Sequence, residues 1–100
     1  MQLTQEEKIR AHVEACIDRY KEQCGVGFTL LALEPTSREH IVNIGTSILC
    51  TKWGVGFPGG SFVQAVVNND LAGAFGRADS INGDCIKFYS MLLYNTSYIE

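Results

Sequence analysis

The sequence contains no apolar run of membrane-spanning length, no closely spaced cysteine pair and no block of like charge. A transmembrane helix needs roughly 20 consecutive apolar residues, and the polar, acidic stretch at residues 2–7 does not resemble a secretory signal. We therefore expect a cytoplasmic protein that does not bind membranes. The sequence also contains no stripe of basic residues of the kind that binds along a nucleic-acid backbone, which argues against binding to duplex DNA or RNA.

The four cysteines are widely spaced and do not form a recognisable ligand pattern. They are Cys16, Cys24, Cys50 and Cys85. A structural zinc site usually takes its ligands from closely spaced pairs, and disulfide frameworks are typical of secreted domains. We therefore interpret the cysteines as small buried hydrophobic residues and predict neither a metal site nor a cofactor.

The motifs of common enzyme classes are also missing. The sequence has no G-x-S-x-G elbow, no Walker loop and no H-E-x-x-H motif. The histidines, His12 and His40, fall in different predicted elements, and no cysteine has an obvious activating base beside it. We predict that the protein is not an enzyme.

The 100 residues, 46% of them apolar, predict one domain spanning residues 1–100. A domain of this size is only marginally able to bury a core alone. The ten aromatic side chains are numerous enough to supply, besides a core, an apolar face that a partner subunit covers. We therefore expect a homo-oligomer.

Apolar periodicity in the first half predicts an N-terminal helix followed by a β-hairpin. Thr4 and Glu7 form a capping-box pattern, and an apolar stripe continues from it over residues 4–23. Residues 28–33 and 40–45 are short β-favouring runs on either side of a Pro/Ser turn, a pattern typical of antiparallel hairpins. These elements predict an α+β fold class.

The second half predicts an αα-hairpin. Residues 46–53 fit either a third strand or a short helix. Helical spacing then extends over residues 61–75, and Asp79 or Ser80 can cap a last helix that continues to residue 94. A short link between two such helices favours antiparallel packing.

A glycine-rich loop at residues 53–60 leads into the first helix of this pair. Gly59, Gly60 and Ser61 would expose backbone N–H donors at the positive end of the helix dipole, with the Ser61 hydroxyl as N-cap. The start of such a helix is a typical anion-binding site. The alternative is that the glycines and the proline simply turn the chain between two elements.

Further residues complete a candidate ligand-binding site. The planar guanidinium of Arg77 suits phosphate oxygens, although an ion pair with Asp70 across the helix end is an equally simple explanation. Asn69 lies amid a stripe of small residues, and its amide could form hydrogen bonds with a polar edge of the ligand. Trp53 or Phe57 would stack on a nucleotide base.

A sequence motif links residues 53–95 to a known group of proteins. The motif consists of Pro58, Gly60, Phe62, Ala65, Val66, Asn69, Asp70 and Leu71, then Gly76, Arg77, Ala78, Asp79 and Asn82, and finally Leu93, Tyr94 and Asn95. This pattern resembles a group of small phage and prophage proteins. The resemblance implies a phage or mobile-element origin more than it implies a mechanism.

Small phage proteins without enzymatic motifs often counter host defence, and this analogy yields two hypotheses. In the first, the protein is a non-enzymatic binder that sequesters a small anionic nucleotide signal, of cyclic-nucleotide or ADP-ribose type. In the second, it inhibits a host defence protein through surface contacts, with Tyr94, Tyr98 and Ile99 of the tail as anchors. A structural or accessory phage role is a third alternative. An exposed apolar patch would favour a protein interface.

Overall fold

One long central helix organises the chain. The computed structural model describes residues 2–100, and over this range the chain forms seven helices and no strand. None of these helices is both long enough and apolar enough to cross a membrane. In order they are α1 (Gln5–Tyr20), α2 (Gly25–Leu33), α3 (Pro35–Trp53), α4 (Ser61–Val67), α5 (Leu71–Arg77), α6 (Ser80–Asp84) and α7 (Ile86–Asn95).

The N-terminal helix begins as the sequence predicts. Thr4 Oγ1 accepts a hydrogen bond from the Glu7 N–H at 3.1 Å, and the Glu7 carboxylate accepts one from the Thr4 N–H at 2.9 Å. The capping box is therefore complete, and the bond that the carboxylate accepts from the Thr4 N–H lowers the pKa of Glu7 because it favours the charged form. Helix α1 ends at Tyr20, earlier than predicted, and a turn occupies residues 21–24.

The predicted β-hairpin is wrong, and the α+β fold class is wrong with it. Residues 28–33 lie in α2, while residues 40–45 and 46–53 both lie in α3. Short apolar runs fit a buried strand and a buried helix equally well. Ile41 and Ile48, both fully buried, are two helical turns apart, so their shared face is visible only when the two segments are read as one.

The polar turn predicted within the hairpin is in fact the start of α3. The Glu34 side chain accepts hydrogen bonds from the backbone N–H groups of Thr36 and Ser37, at 3.1 and 2.6 Å. Pro35 occupies the first helical position, where its missing N–H would have had no partner. The same residues that interrupt a strand pattern therefore start a helix.

Helix α3 packs against α1, α2, α4, α6 and α7. At Gly45 the packing is close: a Cβ atom there would lie 2.7 Å from Val13 Cγ1 and 3.2 Å from Leu92 Cδ2. Across the core, the rings of Phe28 and Phe88 stack with their centroids 4.8 Å apart. Fully buried side chains from four helices meet in this core: Ile9, Val13, Ile17, Phe28, Ile41, Ile48, Leu49, Phe88, Tyr89 and Leu92.

The predicted αα-hairpin is also wrong, because the second half consists of four short helices. Helix α4 ends at Val67, and Asn69 then adopts a left-handed conformation with φ of 60°. Asp70 caps α5, since its Oδ1 accepts from the Gly73 N–H at 2.9 Å. An Asn and an Asp in succession thus end one helix and begin the next.

A polar cluster connects α6 to α3 and α7. Asn82 Oδ1 accepts a hydrogen bond from the buried Tyr89 hydroxyl at 2.8 Å and lies 3.2 Å from His40 Nε2. Asp79, one of the two predicted caps, is the N-cap of α6, which ends at Asp84 and not at residue 94. One Asp79 carboxylate oxygen accepts from the Asn82 N–H, and the other lies 3.4 Å from the same His40 nitrogen. Burial raises the pKa of Tyr89, so its hydroxyl stays protonated and donates.

The C-terminal residues lie against α1 and the end of α3. Thr96 is buried, and its Oγ1 lies 3.1 Å from His12 Nε2. The Tyr98 ring packs edge-on against Trp53 with centroids 5.3 Å apart, and its hydroxyl accepts from Gln5 Nε2 at 2.9 Å. The C-terminal tail therefore contacts both the start of α1 and the end of the central helix α3.

We predict that Gly45→Ala lowers the free energy of unfolding by about 1–3 kcal/mol, because the added methyl overpacks the contact with Val13 and Leu92. The matched control is Gly27→Ala in α2, where a Cβ meets nothing within 4 Å. This control should be neutral or stabilising by up to about 1 kcal/mol. Urea unfolding measures both, and equal effects of the two substitutions would contradict the close packing at Gly45.

We also predict that stability falls below about pH 6.5 through His12. Burial, and then the charge of Arg19, lower the pKa of His12 from 6.5, so protonation favours the unfolded chain. This contribution to stability is present above pH 6.5 and is lost as the pH falls through the lower folded-state pKa.

Urea unfolding at several pH values down to about pH 5 tests this prediction. The range avoids interference from Glu7 and Glu34, whose pKa values are lowered from 4.5 by hydrogen bonds to backbone N–H groups. The wild type should lose more stability than His12→Gln. The same loss in both proteins would show that His12 does not cause it.

Candidate functional site

An open groove lies between α4, α5, α7 and the C-terminal end of α3. Its volume is about 550 Å³, which is within the roughly 300–1,000 Å³ typical of small-molecule pockets. The residues that line it are Lys52, Ala65, Val66, Val67, Asn69, Asp70, Leu71, Ala74, Ile86, Ser90, Leu93 and Tyr94.

The floor of the groove is apolar and its rim carries exposed apolar side chains. Leu71 is 64% exposed and Tyr94 is 91% exposed, although both are large. A flat apolar ligand or an apolar protein segment would cover them. The buried side chains of the floor are Ala65, Val66, Ala74 and Ile86.

The polar groups of the groove come from three different parts of the chain. Lys52, in the last turn of α3, donates from Nζ to the Leu93 carbonyl at 3.2 Å. Asp70 contributes a carboxylate from the turn between α4 and α5, and Ser90 lies on α7. Among the described residues that line the groove, Lys52 is the one cation and Asp70 the one anion.

The turn between α4 and α5 places two polar side chains at the groove. The Asp70 N–H donates back to the Ala65 carbonyl at 2.9 Å, and the Asn69 N–H donates to the Val66 carbonyl at 3.2 Å. The left-handed conformation of Asn69 reverses the chain at this point. Asn69 and Asp70 therefore both line the groove while α5 continues beside α4.

The groove contains Asn69 but not the other predicted site residues. Those outside its lining are Trp53, Phe57, Gly59, Gly60, Ser61 and Arg77. Trp53 is half-buried and packs against Tyr98. Arg77 is the exposed last residue of α5, and a Cβ atom at Gly73 would collide with both its guanidinium and the Asp70 carboxylate. Within residues 2–100, Arg77 and Asp70 do not form an ion pair within 4.0 Å.

The glycine-rich loop has a structural explanation. Gly60, not Ser61, is the N-cap of α4, and no side chain caps this seven-residue helix. The Gly59 N–H donates to Thr51 Oγ1 at 2.8 Å, so this donor already has a partner. Gly54 ends α3 in a left-handed conformation. These contacts agree with the turn interpretation of the loop, although Phe57 at its tip is 96% exposed.

Lys52 and Ser90 are site residues that the sequence analysis missed. A lysine in the last turn of a helix and a serine on an amphipathic helix are common on protein surfaces, so neither predicts a ligand. They lie 38 positions apart in the sequence and line the same groove only because α3 packs against α7.

A cysteine and a histidine also lie together, one turn apart in α1. Cys16 Sγ is 3.3 Å from His12 Nε2, a neighbour at helical spacing that the sequence analysis missed. Burial raises the pKa of Cys16 and lowers that of His12, so both groups are neutral at pH 7 and the thiol is not activated. The prediction of buried cysteines is confirmed for Cys16, Cys50 and Cys85, while Cys24 is partly exposed.

Known proteins provide no relative that would identify the site. No protein family, no curated protein and no solved structure matches the chain. The resemblance to small phage proteins therefore stays a prediction from the sequence. The groove is the feature from which a function can be argued.

Proposed function

We propose that the protein is a non-enzymatic binding protein that holds a small anionic nucleotide in the groove between α3, α4, α5 and α7. The observation that carries this proposal is a cavity of about 550 Å³ that combines an apolar floor with the ammonium group of Lys52. Small-molecule sites are mostly apolar and use a few polar groups to orient the ligand. A base would cover the floor, and a phosphate would bind the lysine.

Three side chains have distinct roles in this proposal. The Lys52 ammonium has three donors, of which one contacts the Leu93 carbonyl, so two remain for phosphate oxygens. The exposed Tyr94 ring at the rim offers a face for stacking on a base. The Asn69 amide offers both a donor and an acceptor for a polar ligand edge. Lys52 therefore takes the anion-binding role first predicted for Arg77.

The resemblance to small phage proteins supports a biological role for such binding. A protein that holds a nucleotide signal without converting it lowers the free concentration of that signal. We propose that the protein counters host defence in this way, in the cytoplasm of the host cell. Sequestration depends on affinity and copy number, and no catalytic group is needed for it.

We predict that Lys52→Gln weakens the binding of anionic nucleotides by about tenfold or more, because a hydrogen bond to a charged group is worth about 1.5–3 kcal/mol. The matched control is Lys87→Gln, which removes an exposed lysine of α7 that does not line the groove. Isothermal titration calorimetry with mononucleotides, cyclic dinucleotides and ADP-ribose measures both variants. Equal affinity in Lys52→Gln and the wild type would exclude this phosphate site.

The second candidate function is a protein–protein inhibitor, and the exposed apolar side chains favour it. Exposed large apolar side chains mark interaction surfaces when they lie close together, and aromatic residues dominate binding energy at interfaces. Leu71 and Tyr94 lie at the groove, and Phe57 lies on the glycine-rich loop. The most exposed of the large apolar side chains are Phe57, Val26 and Tyr94.

Phe57→Ser separates the two candidates, because Phe57 lies outside the groove. If a host protein is the target, we expect this variant to lose a partner that the wild type retains on an affinity column. If a nucleotide in the groove is the target, we expect Phe57→Ser to keep wild-type affinity in calorimetry. If the variant retains both the partner and the nucleotide affinity, Phe57 belongs to neither binding site.

A further inference from the structure

We infer that the exposed face of α2 is a homodimer interface, on which a second copy of this chain packs its own α2 in the antiparallel direction. Three large apolar side chains share this face at helical spacing: Val26 is 76% exposed, Leu30 63% and Leu33 69%. The opposite face of the same helix is buried through Phe28 and Ala32. Apolar residues therefore lie on both faces of α2, a pattern typical of a helix that is covered all round.

The start of α2 forms a hollow that fits an apolar side chain. Its volume is about 290 Å³, and the residues that line it are Glu22, Gly25, Val26, Thr29 and Leu30. The turn before the helix is held in place there, since the Thr29 hydroxyl lies 3.1 Å from the Lys21 carbonyl. A twofold axis near Leu30 places the end of one α2 beside the start of the other. Leu33 of each copy then packs into the hollow of the other copy, as a knob packs into a hole.

The charges at the two ends of α2 favour the same antiparallel direction. Lys21 and Glu22 lie in the turn before the helix, and the exposed Glu34 follows its last residue. Lys87 of α7 is also near the start, because its charge opposes the rise in pKa that burial causes in the Cys24 thiol. Two cations and one anion at the start thus meet the anionic end of the second copy. A parallel pair would place the two Glu34 carboxylates side by side.

The size of this face predicts a weak, reversible dimer. Its three apolar side chains expose roughly a few hundred Å² together, and the turn at residues 21–24 adds polar area at the edge. A standard interface buries about 800 Å² on each partner, so the α2 pair belongs among the small interfaces. We expect a dissociation constant in the micromolar range. Each copy has a fully buried core of its own, so the monomer folds without the partner.

Sedimentation equilibrium of the wild-type protein over concentrations from about 5 to 500 μM tests the inference. We expect the mean mass to rise from 11.0 kDa toward twice that value. Leu30→Glu brings two like charges together beside the twofold axis, so we expect it to raise the dissociation constant at least about tenfold. A wild-type mass that stays at 11.0 kDa throughout would overturn the inference, as would undiminished association of Leu30→Glu.

Phe75→Ser is the matched control for Leu30→Glu. Phe75 is a large apolar side chain of α5 that is 55% exposed, and it lies outside α2. This variant should dimerise like the wild type, and an equal loss in both variants would contradict an interface at α2. Circular dichroism of each variant confirms that lost association does not come from unfolding.

Lys21→Glu tests the antiparallel direction. The substitution brings a second anion to Glu34 of the other copy, and it acts twice in a symmetric dimer. We expect the dissociation constant to rise about fivefold at low salt, and this effect to shrink at high salt. Lys8→Glu is the control with the same change of charge, because Lys8 contacts the Glu100 carbonyl near the other end of α1. Equal association of both variants would show that the direction is wrong.

The inference is independent of the proposed nucleotide site, because no residue of α2 lines the groove. Leu30→Glu should therefore keep the wild-type affinity for nucleotides in calorimetry. Lys52→Gln should likewise keep the wild-type dimer. Each proposal can fail while the other stands.

Discussion

The close approach of α1 and α7 to α3 at Gly45 is the contact on which the rest of the helical arrangement depends. A side chain at this position would occupy the space of Val13 and Leu92, so only the missing Cβ lets the three helices meet at this distance. Helix α3 also packs against α2, α4 and α6. Its position therefore determines where the four short helices of the second half can lie.

The groove follows from this arrangement and from one capping residue. Helices α3 and α7 bring Lys52 beside the Leu93 carbonyl, and the turn after α4 closes the opposite side. Asp70 lines the groove and begins α5 through one carboxylate oxygen, while its other oxygen lies over Gly73 beside the Arg77 guanidinium. In contrast, Cys16 is buried in the core and the half-buried His12 lies beside it, and both groups are neutral at pH 7, so the pair suits stability better than chemistry.

The parts of the fold that could be predicted depend on contacts within one helical turn. The capping box of Thr4 and Glu7 was identified from spacing alone, and Asp79 was one of two predicted caps, because side chain and backbone partner are three residues apart. Residues 28–33 and 40–45 were mistaken for strands, and residues 46–53 fitted either a strand or a short helix, because short apolar runs suit either state. The buried residues of α3 within residues 41–50 lie on several sides of the helix, so no clear amphipathic period marked it in the sequence.

For the candidate site, the sequence by itself placed Asn69 in a region of small side chains, and it offered a turn as one interpretation of the glycine-rich loop. It could not reveal that Lys52 and Ser90 share a groove with Asn69, because nothing local relates residues on separate helices. Only the tertiary structure brought them together and left Arg77 and the glycine-rich loop outside. Packing of α3 against α4 and α7 is a long-range property, whereas capping and turn formation are local, and this difference separates what the sequence determined from what the fold decided.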